Sequence, residues 1–340
     1  MSDTRDHMTT TSYLDLHRRM AAGIAAERRA ALDTLGASAP SVRAAVARFL
    51  ERRTFRYPLS VLPLIVHAVE TGDPRPALPL TVVHDLWWAS ACWLDDLADA
   101  HGDHGRGRPG DDGDALLATV VAAAPLPLLV LRSDRIPEPV RGALSTEVVT
   151  CWIKATEGQL RDLHAEPTTA TRDSVTAAYL GKSGAPFSMI TAMAARLAGA
   201  AEPRVGRWRR FGEVFGILWQ LLNDQEDIDS GRHEDLLNGT PTYLLACALE
   251  TGAPAAVRRI TALHAAARTS AAARADLTDL LLGPEVLAVY EKDVGAFRDQ
   301  ARHLLDELPG DTAHLAVMRD LVDRSSRMLL RPRTTTPSTL

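Results

Sequence analysis

The sequence predicts an all-α protein built as a single helical domain, and three observations predict it. The chain is rich in Ala, Leu and Arg, all good helix formers. It carries no sustained period-2 alternation of apolar and polar residues, the pattern strands require. Phe211, Val214, Phe215, Leu218, Leu221 and Leu222 recur at three- and four-residue steps, which makes one apolar stripe along a helix from Arg204 to Asp229.

Taken in order, helices are expected near 14–34, 41–52 and 58–70. A long helix from Leu78 to Gly102 follows, and its stretch from Leu86 to Leu94 is apolar almost all round. A second long helix runs from Glu138 to His164, and a shorter one covers 186–199. The Arg204–Asp229 helix is stopped by Gly231. Helices near 241–250, 284–307 and 312–329 complete the set. Asp73-Pro74-Arg75-Pro76 breaks the pattern, and His104 to Gly113, heavy in Gly and Asp, reads as a long polar loop. Asp112-Gly113 and Asn238-Gly239 are turn pairs, but no alternating strands flank them, so neither is a hairpin. Residues 1–12 and the Pro/Thr-rich tail 331–340 read as disordered ends. One domain is expected over 13–330.

Composition narrows the function. Of 340 residues, 46% are hydrophobic and 24% charged, enough for a sizeable core. Lys and Arg number 38 against 43 Asp and Glu, a net charge of −5. A nucleic-acid partner calls for a basic surplus or stripe, and Arg207-Trp208-Arg209-Arg210 reads instead as the solvated face of a helix. Cys92, Cys151 and Cys247 are few, odd in number and set in apolar sequence, which fits reduced thiols in a cytoplasmic protein. The N-terminus lacks a secretory apolar core. The longest apolar passages, such as Ala124 to Leu131, are interrupted by proline, so no membrane span is expected.

Two acidic clusters carry chemistry. Asp95, Asp99 and Asp103 lie four apart and share a helix face, with Asp96 beside them. Like charges stacked this way destabilise a helix unless something offsets them. They end a segment holding Trp87, Trp88 and Trp93, half of the chain's six tryptophans. An EF-hand is excluded by the spacing before Gly102. The second cluster, Asn223-Asp224-Gln225-Glu226-Asp227, again ends an apolar helix, with Gln220 one turn earlier. Two such helices face to face would form a greasy pocket rimmed by carboxylates, which suits Mg²⁺ and a diphosphate with an apolar tail. Two unrelated acidic helix caps are the alternative. Gly181-Lys182-Ser183 is not a P-loop, because Thr176 stands where that pattern needs glycine. Lys182 is either a surface side chain or a cation at the pocket mouth.

Together these segments resemble the trans-isoprenyl (polyprenyl) diphosphate synthase family over roughly residues 45–330. Asp95-Asp96-x-x-Asp99 is similar to its first aspartate-rich motif. Gly158-Gln159-x-x-Asp162-Leu163 and Lys182-Ser183-Gly184-Ala185-Pro186-Phe187 are similar to its middle helices. Gln220-x-x-Asn223-Asp224-x-x-Asp227, followed by Asp235-Leu236-x-x-Gly239-x-x-Thr242, resembles its second motif. The resemblance implies a helical bundle around a deep apolar cavity, working as a homodimer. It implies three Mg²⁺ ions held by Asp95, Asp96, Asp99, Asn223, Asp224 and Asp227, and a prenyl diphosphate substrate. Lys182, Gln220 and Arg232 would contact diphosphate, while Trp88, Ser90, Ala91, Phe187 and Trp219 would line the cavity. Phe187, Phe215, Trp219 and Tyr243 are candidates to face a carbocation, or to pack the core.

The departures concern the second substrate. The family's Gly-Lys-x-x-Arg-Pro-like element is reduced to Arg53-Thr54-Phe55-Arg56-Tyr57-Pro58. Trp88 stands where elongating members carry a polar residue for isopentenyl diphosphate. The Arg-Arg-Gly after the first motif is blurred around Arg106. Arg232 and Thr240 replace the usual lysines, and Asn223 replaces the second motif's first Asp. A diphosphate without its cations is costly to bury. The expectation is therefore a terpene synthase that ionises one prenyl diphosphate of C15 to C20 or longer and cyclises or quenches the cation. The alternatives are a synthase that elongates with isopentenyl diphosphate through Arg53, Arg56 and Arg106, and a prenyltransferase to another acceptor. An inactive helical partner subunit is the reading from a different class.

Overall fold

The computed structural model describes residues 12–52, 59–99 and 111–332, and among them there is no strand. The helices are α1 (Tyr13–Asp33), α2 (Pro40–Arg52), α3 (Leu62–Thr71), α4 (Leu78–Asp99), α5 (Asp111–Ala123), α6 (Pro125–Arg132), α7 (Glu138–Leu163) and α8 (Arg172–Tyr179). They continue as α9 (Ala185–Leu197), α10 (Glu202–Asp229), α11 (Glu234–Asn238), α12 (Tyr243–Thr251), α13 (Pro254–Ala267), α14 (Ala271–Leu281), α15 (Pro284–Asp306) and α16 (Thr312–Ser325). Every helix expected from the sequence is present within a few residues at each end.

Two of the helices that sequence periodicity missed begin at residues that look like breakers. Pro125 and Pro254 sit in the first turns of α6 and α13, where a proline lacks no needed N–H. The polar stretch to Gly113 already contains the start of α5, whose first residues are Asp111 and Asp112. Carboxylates suit the positive end of a helix. Treating Pro125 as an interruption also hid a stretch, Gly113–Arg132, whose 20 residues and hydropathy of 2.1 suffice by length and composition to cross a membrane. Its apolar window is 44% buried in the bundle. Ser12, assigned to a disordered end, caps α1 by accepting from Asp15 N at 3.2 Å. The remainder of that end, and the tail beyond residue 332, lie outside the described residues.

Burial orders the bundle. α9 is buried at every position from Ala185 to Ala195 and α3 from Leu62 to Val69, so both run through the core. α10 packs along α9 and against α15 and α16, while α4 packs on α1, α5 and α6. Trp208 of α10 ties two of these helices together. Its indole N–H donates to Glu70 of α3 at 2.5 Å, and its carbonyl accepts from the Thr191 hydroxyl of α9 at 2.8 Å.

A five-residue π-helical turn, Leu180–Gly184, joins α8 to α9. Such turns are rare and concentrate at functional sites. Two helices, α7 and α10, meet it backbone to backbone, and α10 meets the start of α9 in the same way. A Cβ on Gly158 of α7 would lie 2.5 Å from Lys182 N, and one on Gly181 would lie 2.6 Å from the Gly158 Cα. On α10, a Cβ on Gly216 would lie 2.4 Å from Ser183 O, and one on Gly212 would lie 2.4 Å from Phe187 O. None of these atoms is a flexible chain end, so the backbones themselves would have to part.

Gly216→Ala is accordingly expected to lower unfolding free energy by about 1–3 kcal/mol or more. Gly113→Ala, where an added Cβ meets nothing within 4 Å, should be neutral or gain up to about 1 kcal/mol from helix propensity. Denaturant titration followed by circular dichroism measures both, and equal stability of the two variants would refute the contact.

Candidate active site

The π-turn aims Lys182 at the first acidic motif. Its ammonium lies 3.1 Å from Asp95 Oδ1 on α4 and donates to Asp162 Oδ2 on α7 at 2.7 Å. Gln159, one turn before Asp162, donates from Nε2 to the same Asp95 oxygen at 2.7 Å. Two separate chain segments, the π-turn and α7, thus converge on one carboxylate of α4. The Lys182 side chain is 19% exposed and that of Asp162 only 6%, so the pair sits at the edge of the core with one side open. Asp96 is exposed and Asp99 ends α4. The side chain of Asp99 lies outside the described residues, as do Arg53, Arg56 and Arg106. Sequence reasoning placed Asp162 and Gln159 in a motif without giving them a role. Their spacing, one turn of α7, was the available signal.

The second motif is built differently. Asp224 is buried and accepts hydrogen bonds from the Tyr179 hydroxyl and from Gln220 Nε2, the latter at 2.9 Å. Gln220 Oε1 in turn accepts from the Ser183 hydroxyl at 2.6 Å, next to Lys182. The Tyr179 oxygen also accepts from Tyr243 N at 3.2 Å. Burial raises the Asp224 carboxyl well above the ordinary carboxylate range, and burial raises Asp235 too, with Asp224 and Asp227 adding repulsion. Asp227 is buried and accepts the backbone N–H groups of Glu234 at 3.0 Å and Asp235 at 3.4 Å, at the start of α11. Both carboxylates expected on metal are therefore taken up by protein donors. Asn223 is the exposed member of the trio. Gln220, expected on diphosphate, orients Asp224. Tyr179 had no sequence signal.

The expected cavity wall is an aromatic cluster. Phe187 packs against Trp88, Phe215 and Trp219 with ring centroids 5.4, 5.2 and 6.2 Å away. Phe187 and Ser90 have no exposed surface, and the Ser90 hydroxyl donates to Leu86 O at 2.8 Å. These two residues therefore pack the core and line no open space, because neighbouring rings fill the room their positions offered. Trp88, Ala91 and Trp219 are half-buried and face the edge of the cluster. His84, one turn before Trp88, is 3% exposed, with its ring 6.2 Å from Trp88 and 5.9 Å from Phe187. Burial pushes its pKa down to about 4, so the ring is neutral. Tyr243 packs away from this cluster, against Tyr290 and Phe297, and donates to Asp293 at 3.0 Å.

Arg232 keeps company with the second motif and not with Lys182. Its guanidinium lies 3.7 Å from Asp227 and 3.5 Å from Glu234. Among the described residues no group of three or more His, Cys, Asp and Glu side chains is arranged to hold a metal. The carboxylates at the Lys182 cluster are those of Asp95 and Asp162, oxygen donors of the kind a hard divalent cation takes.

Residues 134–280 match the family model described as Polyprenyl synthetase. The chain is 30% identical over 226 residues to a nonaprenyl diphosphate synthase of Mycobacterium tuberculosis (strain ATCC 25618 / H37Rv), and the match spans 62% of each chain. The fold matches geranylgeranyl pyrophosphate synthetase from Pyrococcus horikoshii Ot3 with a TM-score of 0.76 at 19% identity, covering 93% of this chain and 99% of that one. It also matches polyprenyl synthase from Caulobacter crescentus CB15, complexed with calcium and isoprenyl diphosphate, with a TM-score of 0.74 at 17% identity over 93% and 98% of the two chains. These likenesses run to chain-building enzymes and lend no support to the terpene synthase expected from the sequence.

Lys182→Met strands the buried Asp162 carboxylate, so it is expected to cost about 3 kcal/mol of stability. Adding Asp162→Asn should recover most of that loss in a denaturant titration. A single variant as stable as the parent would show that the cluster is not energetically linked.

Proposed function

Because the chain belongs to the trans-isoprenyl diphosphate synthase family, we propose that it is a Mg²⁺-dependent prenyltransferase that elongates an allylic prenyl diphosphate with isopentenyl diphosphate. The observation that carries this reading is the convergence of Lys182 and Gln159 on Asp95, with Lys182 held also by Asp162, at an edge open to solvent. Asp95, Asp96 and Asp99 would hold the metal, with Asp162 beside them. Bound Mg²⁺ supplies neutralisation of the departing diphosphate. Lys182, already oriented by two carboxylates, offers a charge-assisted hydrogen bond to the same anion. Trp88 and Trp219 present aromatic faces that exclude water and attract a developing cation. Asp224 and Asp227 act through the protein: one anchors Gln220 and Tyr179, the other the start of α11.

A second reading, ionisation of a single diphosphate followed by cyclisation or quenching, is favoured by one feature. Trp88 leaves an apolar ring against Phe187 where a second diphosphate would need polar contacts. The two readings separate in one experiment. The protein is incubated with Mg²⁺ and geranyl, farnesyl or geranylgeranyl diphosphate, with and without isopentenyl diphosphate. A longer diphosphate formed only with isopentenyl diphosphate supports elongation, and a hydrocarbon or alcohol from one diphosphate alone overturns it. Asp95→Ala is expected to reduce turnover about 10²–10³-fold, the scale of one lost electrostatic stabiliser, and full activity would sink the site.

The partner we propose is a second copy of the chain. Trp152 of α7 donates its indole N–H to Ala123 O at the end of α5, at 2.6 Å. Around that bond Leu117 and Val120 of α5 and Val149 and Ile153 of α7 are exposed, an apolar patch that suits a protein interface. Leu117→Asp with Ile153→Asp should convert a dimer to a monomer in analytical ultracentrifugation. An unchanged sedimentation coefficient would exclude this face.

A further inference from the structure

Just beyond the end of α10 lies a cavity of about 300 Å³, lined by the turn Gly231–His233, by Leu237 of α11 and by the first two turns of α14. Its charged lining is basic. Arg232 enters from the turn and Arg274 from α14, and no carboxylate is among the lining residues. Arg274 is anchored at one corner, where Nη1 donates to Ala267 O at 2.6 Å, and its remaining N–H groups stay available, since a guanidinium carries five donors. Arg232 donates from Nε to the Ser230 hydroxyl at 3.2 Å. Its distances of 3.7 Å to Asp227 and 3.5 Å to Glu234 are too long for good hydrogen bonds.

Two further features adjoin the same space. His233 has φ 52°, the one positive φ outside glycine among the described residues. Its Nδ1 is buried without a hydrogen-bond partner. Strained backbone persists where surrounding structure enforces it, and it clusters at ligand sites. The cavity also meets the N-terminal turns of α14, an eleven-residue helix whose positive end favours an anion.

We propose that this pocket binds a polyvalent phosphoanion of diphosphate size, at a site separate from Lys182. Two guanidiniums supply the bidentate contacts that phosphate oxygens accept best, and α14 supplies the dipole. Asp227 and Glu234 flank Arg232 from outside the cavity and oppose weakly charged ligands, which selects for multiple charge. The apolar lining is limited to Leu237, Ala271 and Ala275, too little for a prenyl tail, so the free anion is the ligand. The site stands without the elongation reading.

The test is isothermal titration of the full chain with sodium diphosphate in EDTA, so that metal-bridged binding at Asp95 is excluded. One saturable site per chain is expected, weakened at least tenfold by Arg274→Ala and unchanged in the stability-compensated pair Lys182→Met with Asp162→Asn. Ala275→Glu, an exposed change that adds a carboxylate to the lining, should weaken binding equally and serves if Arg274→Ala fails to fold. Absence of saturable binding overturns the proposal. So does binding that survives both pocket variants, or binding lost in the Lys182 pair. Farnesyl diphosphate that binds where inorganic diphosphate does not would also overturn it.

Discussion

Four glycines decide where the charges stand. Gly158, Gly181 and Gly216 let α7, the π-turn and α10 touch main chain to main chain, and Gly212 does the same between α10 and α9, with added Cβ atoms at 2.4–2.6 Å from their neighbours' backbone. At ordinary helix separations of roughly 8–10 Å, a lysine on the α8–α9 junction would meet carboxylates on two neighbouring helices only by full extension. The close approach shortens that reach. The five-residue turn also resets the phase of α8 relative to α9, so Lys182 points at Asp95 and Asp162 while Phe187, five residues on, points into the core. One packing constraint thus sets both the ionic cluster and the aromatic wall behind it.

The same contact makes the second acidic motif an internal brace. Gly216 brings α10 against Ser183, and one turn later Gln220 can accept from the Ser183 hydroxyl while donating to Asp224. Tyr179 closes the loop from the other end of the π-turn and receives Tyr243 N from α12. Removing water from Asp224 favours its neutral form, and its two protein donors, Tyr179 and Gln220, offset only part of that penalty. A carboxylate in that position is better suited to hold Lys182's turn in place than to bind cations directly. The replacement of the motif's first position by Asn223 is then less damaging than it looks in sequence, because the two retained aspartates have structural partners that do not involve it.

The sequence displayed the fold through periodicity and the first motif through spacing, and it failed where the informative residue looked like its opposite. Pro125 read as a break because proline ends helices from inside, yet in the first turn of α6 it starts one. Asp95 was legible because i, i+4 carboxylates on an apolar helix are anomalous on their own. Tyr179 was not, since a tyrosine before Gly181-Lys182 has no pattern until the π-turn folds it towards Asp224. Ser90 and Phe187 were placed on a cavity by analogy with relatives, and volume decided otherwise. Phe187 is walled in by Trp88, Phe215 and Trp219, and Ser90 is fully buried with its hydroxyl turned back onto Leu86 O.

That filling bears on chemistry as well as on packing. A prenyl chain entering beside Lys182 meets half-buried Trp88, Ala91 and Trp219 first, with fully buried Phe187 behind them. Extending the tail deeper requires those rings to rotate out of contacts between 5.2 and 6.3 Å, each worth roughly 0.5–1.5 kcal/mol beyond its buried area. An apolar tail repays about 0.8 kcal/mol for every methylene it buries, so a five-carbon unit offsets two or three such contacts. On the proposed elongation the balance would tip in favour of opening as the chain grows, and the aromatic wall would act as a yielding limit on chain length and not as a fixed floor. Neutral His84 fits that behaviour, because a charged ring beneath Trp88 would forbid the tail outright while an uncharged one does not.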